Sequence, residues 1–336
     1  TEIIERHWAA MTRWMNYLTD ANPNGLWMNK RGNDFGDWLS IKADTPKDVL
    51  ATGYYAYDAS LMARMARATG RLEEATKYDA LFEHIKSAFN TAFVTSDGKI
   101  KGGTQTSYLV GLRFNLLPAA LRPLAAQHLV DDIKAKDNHL STGFVGVGYL
   151  CPTLSDTGNN DVAYKLLLND TFPSWGFSIR QGATTIWERW DGWTPDKGFQ
   201  DVGMNSFNHY SLGSVGEWLY GHVAGISTDP NSPGYKRIII APHPGPGLTF
   251  ANATYDSVHG RIVSNWKTEA GRATYDVTVP ANTTATVSLP VSDAKNIQEN
   301  GRSAFQSPGV TFVRQEGARA VFSVGSGTYK FTTSAK

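Results

Sequence analysis

At 336 residues, with 41% apolar and 19% charged side chains, the chain can form one large or two ordinary domains and has a globular, not a disordered, composition. Lys+Arg is 32 against Asp+Glu 31 and no basic run exceeds two residues, so no nucleic-acid or anionic-membrane surface is expected. Apolar runs such as Ile238-Ile239-Ile240-Ala241 are too short to cross a bilayer, and the lone Cys151 excludes an internal disulfide and a thiolate metal cage.

Ile4, Trp8, Met11, Met15 and Leu18 fall on one helical face, and that helix ends at the turn cluster Asp20-Ala-Asn-Pro-Asn-Gly25. Thr at position 1 and immediate entry into this helix, without a charged-then-apolar leader, suggest a processed chain or a piece of a longer polypeptide. After the loop 29–39, Thr45-Pro46 reads as a cap with proline in the first turn, opening a helix through Tyr54, Tyr57, Leu61 and Met65 to Gly70. A third helix from about Leu72 to Phe93 carries Ala75, Tyr78, Leu81, Phe82, Ile85 and Phe89. From Thr104 to Leu168 the pattern stays mostly helical, broken at Leu117-Pro118, Asp137-Asn138 and Gly158-Asn159-Asn160. Ser206 to Tyr220 is expected to be the last helix.

Helix following helix without intervening strands predicts hairpins closing into an α/α toroid, with loops at one end building a cleft. Ser227-Thr-Asp-Pro-Asn-Ser-Pro-Gly234 reads as a linker. Beyond it the period changes to alternation: Tyr235–Ala241, Leu248–Tyr255, Gly260–Thr268, Ala273–Val279, Ala285–Pro290 and Tyr329–Thr333 read as strands of an antiparallel β-sandwich. The expected domains are therefore 1–228, helical, and 229–336, β.

The stretch with the most chemistry is Gly182-Ala-Thr-Thr-Ile-Trp-Glu-Arg-Trp-Asp-Gly-Trp193. Glu188 sits among Trp187, Trp190 and Trp193, with Trp175 and Phe177 upstream. Aromatic faces stack on sugar rings, and a carboxylate in such a wall can activate water or protonate a leaving oxygen. The structural alternative makes the tryptophans core and pairs Glu188 with Arg189 or Arg180. Nine of the ten tryptophans precede residue 220, a density that suits either a carbohydrate cleft or an indole-rich core.

His209, in Asn205-Ser-Phe-Asn-His-Tyr210, lies 21 residues after Glu188 and is a candidate donor to a sugar hydroxyl, or a structural histidine at a helix entry. In Gly36-Asp37-Trp38-Leu39, Trp38 could stack on a sugar and Asp37 could accept from its hydroxyls; equally, Asp37 could cap amides and Trp38 could be core. His84, His128 and His139 lack metal-ligand spacing, and there is no nucleophile elbow or phosphate-cradling loop, so no metal and no cofactor are expected. Gly143-Phe-Val-Gly146-Val-Gly148 is glycine-rich but follows no strand, and reads as a tight loop lining the cleft. Asn169, Asn252 and Asn282 match the glycosylation acceptor pattern, which matters only in a secreted eukaryotic protein.

Six ordered runs resemble the bacterial and fungal α-L-rhamnosidases of glycoside hydrolase family seventy-eight. They are Gly36-Asp37-Trp38-Leu39, Leu140-Ser-Thr-Gly-Phe-Val-Gly146, Tyr149-Leu-Cys-Pro152, Leu166-Leu-Leu-Asn-Asp-Thr-Phe-Pro-Ser-Trp175, Gln181-Gly-Ala-Thr-Thr-Ile-Trp-Glu-Arg-Trp190 and Ser206-Phe-Asn-His-Tyr210. The similarity extends into the strand-rich tail, with Val279-Pro-Ala-Asn-Thr-Thr-Ala-Thr286. The resemblance implies an (α/α)6 toroid followed by a β-sandwich, and release of terminal α-L-rhamnose from rhamnosides with inversion. It implies Glu188 as the general base, Trp38 and His209 as rhamnose contacts, and Trp190 in the same wall. The family's general acid lies in an upstream stretch containing Gly-Trp-Thr-Gly-Asp, which is not found here. The chain is thus expected to be the C-terminal part of such an enzyme, with a toroid incomplete at its N-terminus and the missing N-terminal part of the polypeptide as a partner. Asp37, Asp191 and Asp201 are substitutes for the acid only if they are not structural. Two other readings stay open: a non-catalytic carbohydrate-binding module on the same fold, and an α/α-barrel glycosidase or lyase for another sugar.

Overall fold

The computed structural model describes residues 1–334. It divides into two units, Thr1–Gly213 and Ser214–Lys336. The first is helical: α1 (Glu2–Ala21), α2 (Lys47–Ala68), α3 (Leu72–Phe93), α4 (Gln105–Arg113), α5 (Arg122–Ala135), α6 (Phe144–Asp156), α7 (Asn160–Leu168) and α8 (Trp175–Arg180). Three hairpins, α2/α3, α4/α5 and α6/α7, stack so that the first helix of each packs on the first helix of the next.

The hairpins work because their helices differ in section. In α2 the buried positions include Gly53, Ala56, Ala59, Ala63 and Ala66, small residues that let neighbouring helices approach; on the α4 side, a Cβ on Gly53 would lie 2.2 Å from Val110 Cγ1. α3 is amphipathic instead, burying Ala75, Tyr78, Ile85, Phe89 and Phe93 along one stripe. α4 is buried along Gln105–Leu112, the mark of a helix surrounded by others. Thr45 does not cap α2; its hydroxyl meets the Thr104 hydroxyl at 2.7 Å, and Thr104 caps α4 by accepting from the Ser107 amide at 3.2 Å. The two helix starts are thereby tied to each other.

Two further expectations need correction. The glycine run 143–148 is not a loop: α6 begins at Phe144 and carries it. No helix spans 206–220 either; residues 205–210 are irregular, a 3-10 turn covers Ser211–Ser214, and helix resumes only at Val215–Trp218, passing into a π turn at Leu219–Val223. A short hairpin, β1 (Trp193–Thr194) with β2 (Gly198–Phe199), projects from the intervening segment.

In the second unit one sheet has five strands: β3 (Ile226–Thr228), β4 (Arg237–Ile240), β8 (Thr284–Pro290), β11 (Val310–Glu316) and β12 (Arg319–Val324). The other has six: β5 (Phe250–Ser257), β6 (Gly260–Glu269), β7 (Arg272–Val279), β9 (Gln298–Glu299), β10 (Arg302–Ser303) and β13 (Gly327–Ser334). Alternation sets which face is inside: β7 buries Ala273, Tyr275, Val277 and Val279, while β8 buries Ala285, Val287 and Leu289. Each fully buried valine or leucine among them contributes roughly 1.5–3 kcal/mol. The pairing is antiparallel except between β4 and β8, which run parallel. The Ser/Pro/Gly-rich run at 227–234 closes the β3–β4 hairpin inside this unit, downstream of the division at 213/214.

Candidate active site

Asp37 anchors the loop end of the helical unit. It is 6% exposed, and its carboxylate accepts from the Thr106 hydroxyl (2.5 Å) and the amides of Gly143 (2.8 Å), Val145 (2.8 Å) and Gly146 (3.1 Å). Amides in a first helical turn have no acceptor within the helix, and a negative charge there also meets the positive end of the helix dipole. Burial pushes the Asp37 carboxyl above its ordinary range, while the Thr106 hydroxyl and the three amides pull the other way. The amide of Phe144 donates to the Trp38 carbonyl at 2.9 Å, and a Cβ on Gly143 would sit 2.2 Å from that same oxygen. Only glycine allows this approach. The backbone of Trp38 is thus clamped, while its indole is 38% exposed and meets Phe35 edge to face at 5.7 Å.

Glu188 and His209 are joined by a second device, a short irregular ladder. The Glu188 amide donates to the Ser206 carbonyl (2.9 Å), the Ser206 amide returns to Glu188 Oε2 (2.8 Å), and the His209 amide donates to the Ile186 carbonyl (2.8 Å). The Thr185 hydroxyl bonds the Phe207 carbonyl beside them. Glu188 is half-buried and its carboxylate is oriented through one oxygen by a backbone amide. The Ser211 amide donates to His209 Nδ1 at 3.2 Å, so in the neutral ring the proton is on Nε2, a donor. The imidazole stacks on Phe144, with centroids 4.9 Å apart and planes 28° apart. Phe144 therefore bridges the two devices, bonded through its amide to Trp38 and through its ring to His209. In the sequence only its place between two glycines at a helix start marks Phe144 for such a role.

The tryptophans divide. Trp175, Trp187 and Trp190 are only 8%, 7% and 2% exposed, so they support the ladder from beneath more than they form an open wall. Trp175 donates to the Leu212 carbonyl at 2.8 Å and meets Trp190 edge to face at 5.4 Å; Trp187 meets Phe207 likewise at 5.1 Å. Trp190 also lines a cavity of about 570 Å3 with Leu39, Phe172, Phe177, Arg189 and Asp191, and Glu188 is not among its lining residues. Neither arginine neutralises Glu188: Arg189 pairs with Asp191 at 2.9 Å, and Arg180 with Asp170. Asp191 also accepts from Gln200 at 3.2 Å, and Asp201 accepts from the Gly203 amide at 2.7 Å. Among the described residues no group of three or more His, Cys, Asp or Glu gathers in a way that could hold a metal ion.

Two family models match the chain: the bacterial α-L-rhamnosidase 6 hairpin glycosidase domain over residues 1–223, and the bacterial α-L-rhamnosidase C-terminal domain over residues 225–304. An α-L-rhamnosidase of Streptomyces avermitilis is 49% identical over 319 residues, covering 95% of this chain and 30% of the relative. Another, of Formosa agariphila, is 37% identical, covering 98% of this chain and 36% of the relative. The crystal structure of the Streptomyces avermitilis α-L-rhamnosidase complexed with L-rhamnose superposes with a TM-score of 0.91 at 46% identity, over 99% of this chain and 31% of that one. This chain spans about a third of the length of these relatives. With the hairpin model matching through residue 223 and the sheet-rich model following it, the chain belongs to the bacterial α-L-rhamnosidase family.

Proposed function

We propose that this chain carries the water-activating side of an inverting α-L-rhamnosidase site, acting on terminal α-L-rhamnose in a rhamnose-containing glycoside. Glu188 is the general base, Trp38 and His209 hold the sugar, and Trp190 supports the wall behind them. The observation that supports this reading is the ladder pairing Glu188 with Ser206 and Ile186 with His209, which ties the backbone segment bearing an oriented carboxylate to the segment bearing an imidazole whose Nδ1 accepts from Ser211. A relative bound to L-rhamnose with a matching fold supports the sugar assignment.

Inversion needs a second carboxyl about 6.5–9.5 Å from the base, with room for water between. Asp37 is saturated by four donors, Asp191 is held by Arg189 and Gln200, and Asp201 turns back on the Gly203 amide. We therefore look for the acid in the part of the relatives' length that this chain does not span. The same three engagements favour a second reading for the chain by itself, binding rhamnose without turnover.

Wherever wild-type turnover of an aryl α-L-rhamnoside is measurable, Glu188→Gln should lower it about 10²–10⁴-fold, the size of one proton-transfer contribution. L-rhamnose affinity should stay within about threefold. Unchanged turnover would remove Glu188 from its role, and binding with no turnover in the wild type would select the second reading.

A further inference from the structure

Four consecutive amides at the start of α6 are held by two residues: Gly143, Val145 and Gly146 donate to the Asp37 carboxylate, and Phe144 donates to the Trp38 carbonyl. The backbone at Phe144 is therefore fixed on both sides, which confines its side chain to the few rotamers that one rigid helix start allows. Its ring is half-buried and lies along the His209 imidazole, with centroids 4.9 Å apart.

His209 stands in the irregular segment 205–210, where its own amide is bonded to the Ile186 carbonyl. Its ring is held at Nδ1 by the Ser211 amide at 3.2 Å. A hydrogen bond to one ring atom fixes that edge and leaves the plane of the ring to packing. Two aromatic rings lie along the imidazole, Phe144 and Tyr210, the latter with centroids 5.1 Å and planes 15° apart. Tyr210 is 83% exposed, so it is a mobile support, whereas Phe144 is carried on clamped backbone.

We propose that Phe144 is a positioning residue for sugar binding: its ring sets the plane of the His209 imidazole, and with it the direction in which Nε2 donates, while its amide holds the loop that presents Trp38. Both sugar contacts are thereby referred to one rigid point at the start of α6. The inference rests on reading Trp38 and His209 as rhamnose contacts. Its two halves are chemically separable. The amide half is supplied by any residue except proline, and the ring half needs an aromatic side chain, so the side chain can be changed with the clamp on Trp38 left in place.

The test uses this chain and L-rhamnose, with affinity read by calorimetry. Phe144→Leu should weaken binding about two- to tenfold, what one aromatic pair contributes. Phe144→Tyr keeps the ring and should bind as wild type does. On a His209→Ala background Phe144→Leu should cost nothing further, because it acts through the imidazole; a side chain that only packed the helix start would cost the same in both backgrounds. The ring-proton resonances of His209 should move in Phe144→Leu, where the neighbouring ring current is gone, and far less in Phe144→Tyr, with the helical circular dichroism unchanged in both. If the wild type binds no rhamnose, or if His209→Ala binds as tightly as wild type, the reading of His209 as a sugar contact fails and this inference falls with it. If His209→Ala weakens binding but Phe144→Leu does not, or if Phe144→Leu adds its full cost to His209→Ala, the inference alone is overturned.

Discussion

Asp37 and Glu188 are both carboxylates on loops of the helical unit, and the fold holds them in opposite ways. Asp37 is 6% exposed and takes a hydroxyl and three amides, so nearly every lone pair is spent on holding α6. Glu188 is half-buried and takes one amide, from the irregular segment it already pairs with. A carboxylate that organises structure is saturated by donors; one that can accept a proton from water must be oriented and yet left with capacity. The contrast agrees with the order in which the sequence ranks them, Glu188 first as the candidate base and Asp37 as a sugar contact or a cap.

The largest expected effect on stability is at the saturated group. Asp37→Ala leaves the Thr106 hydroxyl and the amides of Gly143, Val145 and Gly146 buried without an acceptor. The helical unit should lose about 3–5 kcal/mol, read from the urea midpoint of the helical circular dichroism signal. A cost below about 1 kcal/mol would mean that water reaches those amides, and the distinction between the two carboxylates would fail.

What could be read in advance follows the range of the forces involved. The bounds of α3, Leu72–Phe93, coincide with the expected ones because a local stripe of apolar residues sets them. β7 and β8 follow their alternation for the same reason. The start of α6 was misread because glycines at 143, 146 and 148 suggest a loop locally, whereas the helix is imposed by a carboxylate 106 residues away from Gly143. Thr45 looked like a cap, but its hydroxyl is drawn to Thr104 across the hairpin stack. β11 has little alternation to read because Val310–Glu316 is largely exposed and polar toward its end, and β12 because Ala320, Val321 and Phe322 are buried in succession. Glu188, Trp38 and His209 were singled out from residue type and resemblance; that Phe144 connects them required the fold.

Burial of a titratable group can be tested apart from donors in the second unit, where His243 has its pKa lowered to about 4 from an ordinary 6.5, chiefly by burial and then by the charges of Arg319 and His222. The folded state prefers the neutral ring, so the unfolded chain binds more protons between those two values. Stability from this group is complete above pH 6.5 and is lost as pH falls toward 4, by about 2 kcal/mol after discounting for partial solvent access. His243→Gln should flatten that part of the melting-temperature profile. An unchanged profile would show that burial alone does not hold the ring neutral.

The smallest effect should be at Glu188 itself. Glu188→Gln keeps the shape and an oxygen for the Ser206 amide, and removes a charge that neither Arg189 nor Arg180 neutralises. Stability should shift by no more than about 0.5 kcal/mol, the range of substitutions that break no buried network. Paired with Asp37→Ala on the same urea curve, this gives a dissociation: one carboxylate whose loss unfolds the loop end, and one whose loss the fold does not register. A loss of more than about 2 kcal/mol in Glu188→Gln would place both groups in the structural class, and the case for Glu188 as a base would then have to rest on turnover alone.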